Sequence, residues 1–143
     1  MEFLLYLSSA GKDIYSLISQ KVRIVENSTI CRKHEIYGWY DSYKRTMSIC
    51  TERIKRGPDP KYYLNETLLH EATHVAQSCK NNMYGIVPFG INPKLMPLTE
   101  RRTQDVESSK KIVGNSAHQI EHEAFWMEDK PEKVKYVLRK FCF

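Results

Sequence analysis

The 143-residue sequence predicts an α+β fold: a small antiparallel sheet of about three strands packed on one long helix, with further helices after it. Three observations carry this reading. Short runs with a period of two occur in the first fifty residues, which is strand spacing. One window from Pro60 to about Lys80 keeps helical spacing, with start and stop signals at its ends. From about residue 98 onward the patterns are helical. The length fits a single domain, and 41% hydrophobic residues allow a sizeable core.

Each element has its own warrant. Met1–Leu7 is apolar but brief and has no basic start, so it reads as the first buried element rather than a secretory leader. Ile14, Leu17 and Ile18 give residues 9 to about 20 a helical stripe. Lys21–Val25, Glu35–Asp41 and Thr46–Cys50 are the strand candidates, with Ser42–Arg45 as a hairpin turn. Asp59 is a helix N-cap with Pro60 in the first turn. That helix should end at Asn81–Asn82, with Leu64, Leu68, Ala72, Val75 and Cys79 facing the core. Residues 83–97 are punctuated by Gly and Pro, and an irregular loop of that kind often rims a functional site. Leu98–Val113 reads as a polar surface helix, and Gly114-Asn115 as a break. Ser116 with Gln119 forms a capping box that opens a helix to about Asp129. Pro131 starts the last helix, with Val134, Val137, Leu138 and Phe141 at core spacing.

Composition narrows the partners and the compartment. No stretch approaches a membrane span. The net charge is +5, yet the basic residues are scattered, with Arg53, Lys55, Arg56 and Lys110, Lys111 as the densest groups. Neither group is interleaved with aromatics, so a solvated basic face is expected and a nucleic-acid partner is only weakly indicated. Cys31, Cys50, Cys79 and Cys142 contain no CxxC pair. Cys31 and Cys50 could pair across neighbouring strands. With no leader and a size suited to a cytoplasmic protein, all four are expected as free thiols, Cys79 a buried one.

The chemistry concentrates in His70-Glu71-Ala72-Thr73-His74. Residues four apart share a helix face, so His70 and His74 can hold one metal ion. Glu71, beside them, is placed to act as general base on water. The residues from Leu68 to Ala76 other than these three are uncharged, as a helix crossing a core requires.

This segment resembles the active-site helix of the zincin metallopeptidases. It lacks the metzincin continuation, since Gln77 and Lys80 stand where that branch has glycine and histidine. The resemblance therefore implies a gluzincin-like arrangement: a Zn2+ ion, a peptide or protein substrate, and a third ligand from a glutamate on a later helix. It also implies that the outer strand of the sheet borders the cleft, where an extended peptide can pair with it. Trp39 and Tyr40 read equally as ordinary strand packing.

His118-Gln119-Ile120-Glu121-His122-Glu123-Ala124 is the second constellation, and His118 to His122 also fits an inverted HxxEH pattern. One domain of this size is expected to build one site. Gluzincins carry a small residue three positions after the ligand glutamate; Ala124 meets this for Glu121, whereas Trp126 would fall there for Glu123. Glu121 is thus the expected ligand, and Glu123 is expected to face away. The aspartate that usually orients a ligand histidine is replaced by Phe125, so another acceptor must do so. His118, His122 and Tyr84 are candidates for stabilising an oxyanion. The expected activity is peptide hydrolysis with Glu71 as base. The alternatives are a non-catalytic zinc-binding interaction module and a protease acting on nucleic-acid-bound proteins.

Overall fold

The computed structural model describes residues 1–143 and has an α+β architecture. Its three strands are β1 (Arg23–Glu26), β2 (Gly38–Asp41) and β3 (Thr46–Ile49). Its helices are α1 (Ser9–Ile18), α2 (Thr29–Lys33), α3 (Thr51–Lys55), α4 (Pro60–Lys80), α5 (Glu100–Val113), α6 (His118–Met127) and α7 (Pro131–Cys142). None is long and apolar enough to cross a membrane. The short helices α2 and α3 have no counterpart in the sequence reading.

The sheet is mixed rather than antiparallel. β2 and β3 form the expected hairpin, with Trp39 opposite Ser48, but β1 pairs parallel to β3. The spatial order β1-β3-β2 puts β3 in the middle, where Met47, Ser48 and Ile49 are all buried. The hairpin is a local event that the turn residues encode. The pairing of β1 is non-local, because the chain first passes through α2 and β2. β2 is left as an edge strand, and Arg53 steadies the chain entering it by donating to the carbonyls of His34 and Ile36 (2.7 and 3.0 Å).

α4 is the axis of the molecule. Asp59 accepts from the Tyr62 amide at its start, and Pro60 occupies the first turn, as expected. Every residue from Thr67 to Cys79 is buried, the polar ones included. The helix is enclosed by β2 on one side and by α1, α6 and α7 on the others. Gly38 sets the approach of β2. A Cβ there would fall 2.6 Å from Thr67 Cγ2 and 3.0 Å from Glu71 Cγ, so any side chain would push the strand off the helix. The amino-terminal segment is pinned by Asn65 of α4, which accepts from the Ser8 amide and donates to the Tyr6 carbonyl (both 2.9 Å).

Two further expectations at this level fail. The Ser116–Gln119 capping box does not form: residues Asn115–Ala117 make a 3-10 turn, and the Gln119 amide instead bonds Ile91 O and Glu123. The cysteines are not free thiols. Cys31 is bonded to Cys50, and Cys79 to Cys142. The second bond follows from α7 packing along α4, which brings the two Cα atoms to 5.2 Å, a distance a disulfide spans without strain on the backbone.

Cys79–Cys142 ties residues 63 apart in sequence, so it restricts the unfolded chain strongly. Replacing both by Ala should lower stability by about 4 kcal/mol on the chain-entropy account. Denaturant unfolding of the double variant checks this, and an unchanged midpoint would refute it.

Candidate metal centre

Because α4 is buried all round, its histidines point into protein rather than solvent. His70 and His74 lie four apart on one face, and Glu121 from the first turn of α6 reaches between them. Glu121 Oε1 is 2.9 Å from His74 Nε2, and Oε2 is 3.3 Å from His70 Nε2. One ligand atom from each of the three residues lies within 4.8 Å of the other two, a group that could hold a metal ion. Ala124, fully buried, lets α6 lie close enough for this.

The other ring nitrogens are taken. His74 Nδ1 is 2.7 Å from Gln77 Oε1, and His70 Nδ1 is 3.0 Å from Glu128 Oε1. The orientation of the Gln77 amide follows from its other bonds: Nε2 donates to Ile120 O and to Glu123 Oε1, so Oε1 must accept. His74 Nδ1 is therefore the donor, and its Nε2 is the nitrogen presented to Glu121. The Glu128 carboxylate imposes the same assignment on His70. Glu128 is thus the acceptor that Phe125 could not be. It lies seven residues, or two helical turns, beyond Glu121, a spacing the sequence displays. Phe125 packs its ring against His70 instead, with centroids 4.4 Å apart.

Electrostatics follow from burial and these partners. Burial alone would lower both histidine pKa values, but Glu121, with Glu128 at His70, raises them, well above the ordinary value for His70. Burial pushes the Glu121 carboxyl up, yet the two imidazoles hold it far below the usual carboxylate range. A cation entering here displaces protons from the histidines. Glu71 is buried beside them, and burial raises its pKa against the pull of His70 and His74. The backbone N–H of Tyr40 in β2 faces its carboxylate.

The three ligand candidates and Glu71 form the floor of a cleft of about 550 Å³. One wall is the segment from Glu35 to Tyr40, which runs into the edge strand β2; the other is α5, through Arg101, Asp105, Ser108, Ser109 and Ile112. α5 is therefore more than a polar surface helix. Arg102 is buried and its guanidinium bonds Glu128 (3.0 Å) and Glu66 (2.8 Å). Arg101 also reaches Glu66 (2.9 Å). This ion-pair group ties α5 to α4 and to the orienting carboxylate of His70.

Four other residues lie elsewhere than expected. Tyr84 is 79% exposed and does not line the cleft. His118 is exposed at the start of α6, also outside it. His122 turns to the Met96 carbonyl (2.9 Å). Glu123 does not face solvent. It is fully buried and accepts from the amides of Phe89, Gly90 and Ile91, from Gln119 and from Gln77. A positive φ at Gly90 curls the backbone so that successive amides converge on the carboxylate. The irregular loop is thereby fixed, and its Ile86 lines the cleft as a rim.

The chain belongs to the family described as "Domain of unknown function (DUF8637)", whose pattern it matches over residues 3–143. No curated protein and no solved structure matches it.

Glu123 satisfies five donors in the interior. Glu123→Ala leaves the amides of Phe89, Gly90 and Ile91 without that acceptor, while Gln77 and Gln119 each keep one backbone carbonyl, and each buried unsatisfied group costs about 1–3 kcal/mol. The variant should lose about 3 kcal/mol or more in denaturant unfolding. A loss below 1 kcal/mol would show that the loop is held by other contacts.

Proposed function

We propose that this protein is a zinc-dependent peptidase of gluzincin-like type, with His70, His74 and Glu121 as ligands and Glu71 as general base. The supporting observation is the fixed tautomer at His74. The Gln77 amide, locked by two other hydrogen bonds, leaves Nε2 as the free donor atom, aimed at the same point as His70 Nε2 and the Glu121 carboxylate. Two imidazole nitrogens and one carboxylate are the donor set of an open catalytic zinc site. The separations of 2.9 and 3.3 Å are near the edge of a tetrahedron with ligands at about 2.0–2.1 Å.

A bound zinc ion would supply Lewis acidity, making water more acidic and polarising a carbonyl. The chain's own residues do the rest. Glu71, held by its burial and by the Tyr40 amide, takes a proton from the attacking water and passes it to the leaving amine nitrogen. The edge of β2 beside the cleft, apart from the Tyr40 amide that faces Glu71, offers main-chain groups to an extended peptide. Glu128 and Gln77 hold the imidazoles in place, and the Arg101–Arg102–Glu66 group keeps Glu128 from shifting.

The alternative readings draw less support. A non-catalytic zinc module has no use for a buried carboxylate beside the ligands, at the floor of an open cleft. A nucleic-acid-directed protease rested on basic clusters, and there Arg53 is engaged with backbone carbonyls while Lys55 is paired with Glu2 at the surface. Two disulfides favour an oxidising compartment over the cytoplasm.

The protein prepared without chelators should carry one zinc per chain by elemental analysis, and Glu121→Ala should carry none. Glu128→Gln should bind zinc roughly 10–100-fold more weakly in a competition titration, as loss of an orienting partner does elsewhere. Glu71→Gln should keep the zinc and the fold but hydrolyse peptides roughly a hundredfold or more slowly. Wild-type rates in that variant would rule out the mechanism.

A further inference from the structure

The protein carries a net charge of +5, but its cleft is acidic. Six carboxylates line it: Glu35, Glu66, Glu71, Asp105, Glu121 and Glu128, against Arg101 as the one arginine or lysine. A seated dication still leaves the lining negative. Most of these groups already have work. Glu121 and Glu71 belong to the metal and the base, and Glu66 and Glu128 bond Arg101 and Arg102.

Asp105 differs from them. It is half-buried on the cleft face of α5, one turn beyond Arg101, and makes no ion pair and no side-chain hydrogen bond. It faces the floor closely enough to feel the charges of Arg101, Glu66 and His70. Beyond it on the same helix face Ile112 lines the cleft, and Ile120 and Phe125 of α6 lie alongside. A partly desolvated carboxylate at the end of an apolar wall fits a long side chain with an aliphatic stem and a cationic head. Low-dielectric walls of one sign also concentrate cationic ligands at the mouth.

We propose that Asp105 is a specificity residue that selects peptides presenting a lysine or arginine side chain to the cleft, with the stem along Ile112, Ile120 and Phe125. This inference rests on the peptidase reading above and names its substrate class. Asp105 receives the ammonium or guanidinium and takes no part in proton transfer.

The test uses one set of labelled peptides, identical except for lysine, norleucine or glutamate scanned through successive positions. With the zinc-loaded protein, kcat/KM for the best lysine peptide should exceed that of its norleucine counterpart about tenfold or more. Asp105→Asn should bring that ratio near one, and Asp105→Lys should turn it toward glutamate. The ratio is internal to each variant, so a general loss of activity does not imitate the result, and circular dichroism checks the fold. The second arm measures fluorescence anisotropy of the same peptides on zinc-loaded Glu71→Gln, where binding is read without turnover. Lysine peptides should bind about tenfold tighter than norleucine ones, and the added Asp105→Asn change should abolish the difference. Cleavage with no lysine preference, or a preference that survives Asp105→Asn, overturns the inference and leaves the peptidase reading standing. No cleavage with a lysine preference in binding that depends on Asp105 sinks the peptidase reading and keeps the selection. Binding of none of the peptides overturns the inference.

Discussion

A helix that takes two histidines, a glutamate, a glutamine and several hydroxyls through the middle of a small protein must find a partner for every polar atom. That constraint organises the rest of the structure. Unpaired polar groups in a low-dielectric interior cost several times what a made hydrogen bond returns. Thr67 and Thr73 turn back to carbonyls of their own helix (2.6 and 2.9 Å). His74 uses Gln77 of the same helix for Nδ1, but its Nε2, both nitrogens of His70 and the Gln77 Nε2 have no such local option, and they recruit α6 and Glu128 just after it. Glu121, Glu123 and Glu128 are spaced along that helix as three separate answers to the demand. The packing of α6 on α4 is therefore specified by polar complementarity as much as by the small residue Ala124.

The same three carboxylates spread the influence of α6 outward. Glu128 brings in α5 through Arg102, Glu123 gathers the loop after α4, and Glu121 closes the space between the histidines. The α5 wall and the loop at the rim are thus attached by charged or charge-assisted bonds, whereas the β2 wall packs on α4 through Gly38. Buried ion pairs of this sort contribute modest net stability but penalise misregistered packing heavily. The geometry of the cleft is fixed for that reason, and the hydrophobic core is left to lie on the other side of α4, against α1 and α7.

The features legible in the sequence were the local ones. Asp59-Pro60 announced the start of α4, the turn between β2 and β3 lay in Ser42–Arg45, and the i,i+4 histidines and Ala124 pointed to one face each. What stayed hidden depends on contacts between distant segments. The parallel placement of β1 follows from where α2 carries the chain. The pairing of Cys79 with Cys142 follows from α7 lying along α4. Glu123 looked outward because helical angle alone gives only one inward direction, whereas a loop folded over α6 supplies a second interior. Gln77 was visible only as a departure from another pattern, and its bond to His74 needed the rotamer. Gly38 gave no signal as a spacing residue, because the side chains it makes room for are some thirty positions away.

The disulfides have a consequence for ion selection. All four cysteines are consumed, one of them at the end of the helix that carries both histidines. The finished chain therefore presents no thiolate, and any ion held by His70, His74 and Glu121 would meet nitrogen and oxygen donors alone. Soft monovalent copper and other thiophilic ions lose the ligand they prefer. Oxidation of the chain thus does more than brace it: it leaves no thiolate anywhere on the protein to compete with these nitrogen and oxygen atoms for a cation.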